Sequence, residues 1–367
     1  MQELILSFFT AFGLVMIAMP SLIKVAKLKH LVDEPSEARK VHSRSVPTIG
    51  GIMLFAGTII AYSLWFPSGG DKELGINYDS YSALEEFKYL VASMFILFFM
   101  GVKDDIIGVS PTKKLLIHLV VAAILVLVAD IRITSLHGIF KIDAIPYSYS
   151  VILSVFTYIV IVNAMNLIDG VDGLAAGIGL IASTTFSIWF YRTGDIPLAL
   201  LAAGLSGSLL GFLFFNFNPA KIFMGDSGSL IIGVTLFVLA INMIEHDLST
   251  VPAQMRGVSK PVLAMAILSY PLVDTLRVFL HRTLRGKSPF SADKNHTHHR
   301  LMLFGFNHKQ VVFTLYTYNL IIIGLTFVVP MNSPNLSFII VGSIAFGLIQ
   351  LLFMIPTKKH RKKQESK

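Results

Sequence analysis

The sequence predicts an all-α, polytopic membrane protein. Hydrophobic residues make up 54% of the 367 residues and charged residues only 14%, about half the charged share of soluble domains. The mean hydropathy is +0.70. The apolar residues fall in runs of roughly 17 to 25, the length of a helix that crosses about 30 Å of hydrocarbon. A soluble multidomain enzyme is thereby excluded. The absence of cysteine also excludes disulfides, thiolate metal sites and cysteine nucleophiles.

About eleven apolar runs predict transmembrane helices, with boundaries good to a few residues. They cover 3–26, 48–66, 89–101, 115–131, 151–165, 174–191, 197–215, 229–244, 261–280, 311–329 and 336–355. We interpret the first run as an uncleaved span, since no Lys or Arg precedes it and Lys24, Lys27 and Lys29 follow it. Residues 1–356 are predicted to form one integral membrane domain, followed by a basic cytoplasmic tail over 357–367.

Basic residues set the predicted orientation, with the N-terminus outside and the C-terminus in the cytoplasm. Alternation of the spans then makes 27–47, 102–114, 166–173, 216–228 and 281–310 inner loops, and these loops and the tail hold most of the Lys and Arg residues. The formal charge of +8 therefore indicates topology and contact with anionic membrane lipids, not nucleic acid binding.

Several polar clusters occur in the sequence, and all of them lie in predicted inner loops. The first consists of two adjacent carboxylates that follow the third span. A carboxylate near the C-terminus of a helix meets the negative end of the helix dipole, so capping does not explain Asp104 and Asp105. Such a pair suits metal binding or proton abstraction. The structural alternative is a solvated loop balanced by Lys103, Lys113 and Lys114.

A second cluster leaves the fifth span with polar residues at every third position. Asn163, Asn166, Asp169 and Asp172 share one site only if the helix ends among them, which Gly170 and Gly173 allow. Asn and Asp oxygens suit Mg²⁺ and can hydrogen-bond a nucleoside. Capping of the helix end is the structural alternative.

A third cluster opens the eighth span. Asp226 or Ser227 would make a good helix N-cap at the positive end of the dipole. The amides exposed by Gly225 and Gly228 at the same helix start also form a ready anion site. The two interpretations are compatible.

Three histidines and several arginines occupy the long inner loop before the tenth span. His296, His298 and His299 lack the cysteines or the HExxH helix that usually accompany zinc, whereas cationic and hydrogen-donating groups suit phosphates. Arg282 and Arg300 flank them. A solvated basic loop that only sets topology is the alternative.

Together these residues predict phosphoryl-type transfer to a lipid. No P-loop, GxSxG or Rossmann motif is present, while ligands for a hard cation lie beside donors for phosphates at one membrane face. Such transfer depends chiefly on positioning and charge neutralisation. A secondary transporter for an anionic solute and a non-catalytic lipid-phosphate binding protein are the alternatives. A transporter should show polar groups near mid-span and a repeated half, and neither is visible.

The strings VKDDIIG, NAMNLIDGVDGLAAG, NPAKIFMGDSGSLIIG and SPFSADKNHTHHRL occur in this order. They resemble the polyprenyl-phosphate N-acetylhexosamine-1-phosphate transferase family (glycosyltransferase family 4) over nearly the whole chain. The spacing of His296, His298 and His299 is similar to the bacterial branch that initiates O-antigen, common antigen or teichoic-acid linkage units. It departs from the three adjacent histidines of the peptidoglycan-precursor branch.

The resemblance implies transfer of N-acetylglucosamine 1-phosphate from UDP-N-acetylglucosamine to undecaprenyl phosphate, with release of UMP, at the cytoplasmic face of the bacterial inner membrane. It implies that Asp226 and Asn166 hold Mg²⁺, for which Mn²⁺ could substitute, and that Asp104 deprotonates or orients the lipid phosphate with support from Asp105. The residues expected to bind the nucleotide, sugar or phosphates are Asp169, Asp172, Phe223, Lys40, Asn163, Arg282, His296, His298, His299 and Arg300.

Several alternatives stay open at this point. The donor could carry another N-acetylhexosamine or be UDP-MurNAc-pentapeptide, and the sequence fixes neither the downstream polymer nor the oligomeric state, a homodimer included. Direct attack by the lipid phosphate is favoured over a covalent aspartyl intermediate, because metal-assisted in-line transfer needs no protein nucleophile. The inner-loop clusters are expected to converge in one pocket beneath the inner leaflet.

Overall fold

A computed structural model describes residues 1–33, 46–67, 80–286, 296–329 and 333–355. Two short strands, β1 (Val32–Asp33) and β2 (Val46–Pro47), pair antiparallel. The α-helices are α1 Gln2–Leu28, α2 Gly51–Leu64, α3 Ser80–Ile107, α4 Pro111–Ala123, α5 Tyr147–Leu167, α6 Leu174–Thr193, α7 Ile196–Asn216, α8 Asp226–Glu245, α9 Lys260–Ile267, α10 Ser269–Thr283, α11 Thr297–Leu303, α12 His308–Val328 and α13 Pro334–Met354. A π-helical turn, Ile124–Val128, extends α4.

The prediction of an all-α polytopic membrane protein is confirmed. Within the described ranges, eight helices are long and apolar enough to cross a membrane: α1, α4 with its π-helical turn, α5, α6, α7, α8, α12 and α13. The α9–α10 pair makes a ninth if it counts as one bent span, and α2 is apolar but only 14 residues long. Each of the eleven predicted runs lies on a helix or on the α9–α10 pair. The count of eleven spans and the orientation of the termini stay predictions.

The helices group into two compact units. The first comprises Met1–Ser135 and Ala144–Arg256, and the second comprises Leu136–Asp143 and Gly257–Lys367. In the first unit α7 packs against α1, α2 and α6, and α8 packs against α3 and α5. In the second unit α12 packs against α9, α10, α11 and α13. The single domain over 1–356 stays a prediction, and the tail over 357–367 lies outside the described residues.

The ninth predicted span is not one straight helix, because the chain bends by 80° between α9 and α10. Pro271 lacks an N–H, and its ring clashes with the carbonyl of Ile267 four residues earlier in a continuous helix. Asn319 of α12 satisfies the groups freed at the break. Its Nδ2 donates to the Ile267 carbonyl (3.0 Å), and its Oδ1 accepts from the Tyr270 amide (3.1 Å) and the Ser269 hydroxyl (2.9 Å). An apolar setting requires such internal partners.

Candidate active site

Glycines bring the backbones of α2, α3 and α8 into direct contact at the start of α8. A Cβ atom on Gly51 of α2 would lie 2.1 Å from the amide nitrogen of Gly228. A Cβ atom on Gly101 of α3 would lie 2.5 Å from Cα of Ser227. Any larger residue at either glycine would push the backbones apart, so these positions fix the first turn of α8 beside the end of α3.

The segment before α8 is held by the residues that precede α2. The Phe223 amide donates to the Pro47 carbonyl (2.7 Å), and the Phe223 carbonyl accepts from the Gly50 amide (3.0 Å). The Gly51 amide donates to the Met224 carbonyl (2.9 Å). The backbone of Phe223, a residue expected near the nucleotide, is thereby fixed three residues before Asp226.

A second set of bonds ties the same segment to the loop after α5. Asp172 accepts from the side-chain amide of Asn218 (2.9 Å) and from the Ala220 amide (3.2 Å). Asn216 accepts from the Gly173 amide (2.9 Å) and donates to the Ile222 carbonyl (2.9 Å). Asp172 therefore holds the segment before α8 in place. The sequence did not indicate this positioning role.

The first turn of α8 is capped from another helix. Asp105 Oδ1 accepts from the Asp226 amide (2.7 Å), and its Oδ2 accepts from the Ser227 amide (3.1 Å). The interpretation of Asp226 or Ser227 as the N-cap is wrong, because the N-cap residue of α8 is Gly225. A glycine has no side chain with which to cap the helix. A carboxylate at a helix N-terminus satisfies amides that have no intrahelical partner and faces the positive end of the dipole. Asp105 thus orients Asp226.

An ammonium group joins the two carboxylates that the sequence singled out. Lys114 Nζ lies 2.7 Å from Asp104 Oδ2 and 2.7 Å from Asp226 Oδ2, and all three side chains are partly exposed. The other oxygen of Asp104 accepts from the Val109 amide (2.7 Å). The carboxylates of Asp104 and Asp226 therefore face one position, and a positive charge occupies it. From the sequence alone, Lys114 is expected only to balance the charge of the neighbouring aspartates.

The structure brings the predicted pair of metal ligands into direct contact. Asn166 Nδ2 donates to Asp226 Oδ1 (2.8 Å) and to Ser229 Oγ (2.9 Å). The Ser229 hydroxyl donates in turn to the Gly225 carbonyl (3.1 Å). Both bonds use the amide nitrogen of Asn166, so they fix the orientation of the side chain and leave its oxygen available. That oxygen is the atom suited to a hard cation. Ser229 is a supporting residue that the sequence reading missed.

Several carboxylates lie close enough to the buried Asp169 to affect its ionisation. Loss of hydration raises the pKa of Asp169 well above its usual range, and the carboxylates of Asp226, Asp105 and Asp172 raise it further. The helix α5 ends at Leu167. Such an end within the polar cluster over 163–172 is what the sequence analysis requires if the cluster is to share one site. These neighbouring carboxylates disfavour the charged form of Asp169, and a cation bound nearby would relieve that repulsion.

The donor set fits Mg²⁺ in the manner that phosphate-transfer sites use. Within the described ranges, no group of three or more His, Asp or Glu side chains is arranged to hold a metal ion by itself. Mg²⁺ is, however, usually held by one or two carboxylates together with substrate phosphates, and it keeps several waters. Asp226 supplies a carboxylate at a position that already accommodates a cation, and Asn166 adds an amide oxygen nearby, so substrate phosphates and waters would complete the set.

The predicted histidines lie in the second unit. The rings of His296 and His298 stack with centroids 5.5 Å apart and planes 7° apart, and the His298 and His299 rings lie 4.3 Å apart. Burial, with a smaller contribution from neighbouring His299, lowers the pKa of His298 to about 3. His298 is therefore neutral near pH 7 and can serve as a hydrogen-bond partner but not as a cation.

The remaining predicted residues have differing surroundings. Arg300 donates to the carbonyls of Leu352 (3.3 Å) and Ile355 (2.6 Å), and so caps the C-terminal end of α13. Arg282 is buried near the end of α10. Asn163 is exposed and donates to a backbone carbonyl of its own helix (2.7 Å). Lys40 lies outside the described residues.

The fold and the carboxylate–amide cluster define a multi-pass membrane protein with a site suited to phosphate chemistry. Residues 87–244 match the family model described as glycosyl transferase family 4. The chain belongs to this family, which confirms the resemblance inferred from its motifs.

Three relatives illustrate the similarity. The probable undecaprenyl-phosphate N-acetylglucosaminyl 1-phosphate transferase of Bacillus subtilis (strain 168) is 33% identical over 86% of this chain and 82% of that protein. The decaprenyl-phosphate N-acetylglucosaminephosphotransferase of Mycolicibacterium smegmatis is 31% identical over 87% of this chain and 75% of that protein. The undecaprenyl-phosphate alpha-N-acetylglucosaminyl 1-phosphate transferase of Yersinia pestis is 28% identical over 88% of this chain and 82% of that protein.

Proposed function

We propose that this protein transfers N-acetylglucosamine 1-phosphate from UDP-N-acetylglucosamine to undecaprenyl phosphate and releases UMP. The observation that carries the proposal is the convergence of Asp104, Lys114, Asp226 and Asn166 at the adjoining ends of α3, α4, α5 and α8. The names of the similar enzymes supply the donor sugar and the lipid acceptor.

The proposed reaction exchanges one phosphoanhydride for another. An oxygen of the lipid phosphate attacks the β-phosphorus of the donor, and the bond from that phosphorus to the bridging oxygen breaks. UMP leaves with the bridging oxygen, and the lipid becomes a diphosphate that carries the sugar. Because the bonds broken and formed are alike, the reaction is close to balance and reversible. No protein nucleophile is needed, so direct attack is preferred to a covalent aspartyl intermediate.

The proposed roles follow the contacts of the cluster. Asp226 and Asn166 hold Mg²⁺, which when bound supplies neutralisation of charge on the diphosphate. Asp104 orients the lipid phosphate or accepts its proton, and Asp105 holds the first turn of α8 through two amides. The Lys114 ammonium keeps the carboxylates of Asp104 and Asp226 directed at the same position.

The roles assigned to the other residues rest on the family motifs. Asp169, Asp172, Asn163 and Phe223 serve the nucleotide end of the donor. The groups proposed to bind phosphates or the amino sugar are Lys40, Arg282, His296, His298, His299 and Arg300. For Arg300 the bonds to the end of α13 favour a structural task instead.

The proposed setting is the cytoplasmic face of the bacterial inner membrane, with the product as the first lipid-linked sugar of an O-antigen, common antigen or teichoic-acid linkage unit. The excess of Lys and Arg in the predicted inner loops supports this orientation. The alternative donors are other UDP-N-acetylhexosamines and UDP-MurNAc-pentapeptide. A secondary transporter is disfavoured, because the polar cluster lies at the ends of helices and not at mid-span.

The experiment that tests the proposed function offers separate UDP-sugars to the purified protein with undecaprenyl phosphate and Mg²⁺. We expect UMP and a sugar diphospholipid from UDP-N-acetylglucosamine, and at least ~10-fold slower release from donors that change one hydroxyl, since a lost polar contact costs about 1–3 kcal/mol. Fastest release from another donor would reassign the substrate, and release from none would contradict the proposal.

The same assay in sealed vesicles tests the orientation. The nucleotide sugar does not cross a lipid bilayer, so inside-out vesicles should consume added donor and right-side-out vesicles should do so only after permeabilisation. The reverse pattern would place the site on the outer face.

A further inference from the structure

A fully buried carboxylate in the second unit faces the first histidine of the HTHH segment. Asp274 of α10 is fully buried. Its Oδ2 lies 2.7 Å from Nδ1 of His296. Its Oδ1 accepts from the Thr297 amide (2.8 Å) and from the Thr297 hydroxyl. The aspartate is 22 residues from its histidine, and neither the sequence motifs nor the roles proposed above include it.

The chemistry of the pair determines the protonation of the imidazole. An ionised carboxylate only accepts hydrogen bonds, so His296 Nδ1 carries the proton that joins it to Asp274. In the neutral ring Nε2 is then an acceptor, and in the charged ring it is a donor. A carboxylate partner of this kind fixes both the tautomer and the orientation of a histidine ring.

The surroundings hold the carboxylate in one place. The start of α10 is clamped at the helix break by Asn319, which bonds the Tyr270 amide and the Ile267 carbonyl. The ring of His296 is further restrained by its stack on His298. Because both the aspartate and the ring are constrained, the hydrogen bond is a fixed feature of this unit.

We propose that Asp274 is a positioning residue that selects the tautomer and ring orientation with which His296 binds the donor. This inference rests on the proposed function, in which His296 contacts the phosphates or the amino sugar. The competing explanation is purely structural, since Asp274 also caps the Thr297 amide at the first residue of α11. The two explanations differ in whether transfer depends on Asp274 through His296.

The first test is spectroscopic and needs no activity. Asp274→Asn keeps the shape, and its amide oxygen can still accept from Thr297, but its nitrogen donates to Nδ1 and moves the ring proton to Nε2. We expect ¹⁵N spectra of histidine-labelled full-length protein to show this exchange for one ring, identified by its loss in His296→Gln. Thr297→Val, which removes only a bond of the cap, should lower the unfolding temperature and leave the tautomer unchanged. An unchanged tautomer in Asp274→Asn would overturn the proposal.

The second test is a double-mutant cycle on transfer. We expect Asp274→Asn to lower kcat/KM by ~10- to 100-fold, the range typical of metal-bound histidines that lose a carboxylate partner. In the His296→Gln background the same change should cost less than ~3-fold, because residues that act through one another are not additive. Equal losses in both backgrounds would show that Asp274 acts independently of His296 and would contradict the proposal.

The two tests also separate this inference from the proposed function. If the wild-type protein transfers no phosphosugar, the proposed function fails in the wild-type assay, whereas the tautomer of His296 still decides whether Asp274 positions the ring. If transfer occurs and the tautomer does not respond to Asp274→Asn, only the positioning role fails.

Discussion

Asp226→Asn is expected to abolish transfer while the protein stays folded. The substitution removes the charge that faces Lys114 Nζ at 2.7 Å and weakens the ligand proposed for Mg²⁺. Metal-assisted charge stabilisation is worth several kcal/mol, so kcat/KM should fall by ~10³-fold or more. Lys114 keeps its bond to Asp104, and the pair is partly exposed, so the unfolding temperature should change by less than about 4 °C.

The matched control is Asp143→Asn, the same chemical change on an exposed side chain of the second unit. It should transfer at the wild-type rate. Turnover by both proteins should be followed with Mg²⁺ present, after chelation, and after Mg²⁺ is restored. Asp226→Asn at near-normal rates would remove this residue from the proposed metal site, and transfer that survives chelation would remove the metal.

Gly225→Ala is expected to cost both stability and activity. Gly225 has φ +71°, a region that residues with a side chain rarely adopt and that costs them about 1–3 kcal/mol. A Cβ atom there would also lie 2.2 Å from the Thr48 carbonyl oxygen and 2.5 Å from Asp105 Oδ2. Strain and overpacking together should lower the free energy of unfolding by about 3 kcal/mol or more.

The loss of activity in this variant has its own physical reason. Displacing Gly225 moves the first turn of α8, and misplacement of a reacting group by about 1 Å can cost ~10²-fold in rate. Thermal unfolding in detergent and transfer kinetics check the two effects. Gly324→Ala of α12, where a Cβ atom meets nothing within 4 Å, is the control and should be neutral. A neutral Gly225→Ala would contradict the described start of α8.

Part of the site could be anticipated from the sequence, through its motifs and their family resemblance. The resemblance implies Asn166 and Asp226 as a pair of metal ligands, and in the structure α5 ends at Leu167 with the Asn166 amide 2.8 Å from the Asp226 carboxylate. Lys114 was missed because a lysine in an inner loop first indicates topology, and its contact with Asp226 joins residues 112 positions apart. No local pattern encodes a contact of that range.

The break between α9 and α10 likewise depends on a contact between residues far apart in the sequence. The apolar run over 261–280 predicts a span by composition, and Pro271 inside it is a local signal for a break that the composition hides. What makes the break tolerable is Asn319, about 50 residues away, which supplies partners for the freed backbone groups. The cap that Asp105 provides to α8 depends likewise on the backbone contact at Gly101.

The most direct test of phosphosugar transfer follows each phosphorus of the donor. UDP-N-acetylglucosamine labelled at the β-phosphorus should pass its label to the undecaprenyl lipid, while donor labelled at the α-phosphorus should release its label as UMP. Wild-type protein and Asp226→Asn should be compared, with label in the lipid only for the former. Release of both labels together as UDP would show transfer of the sugar without its phosphate and would contradict the proposed reaction.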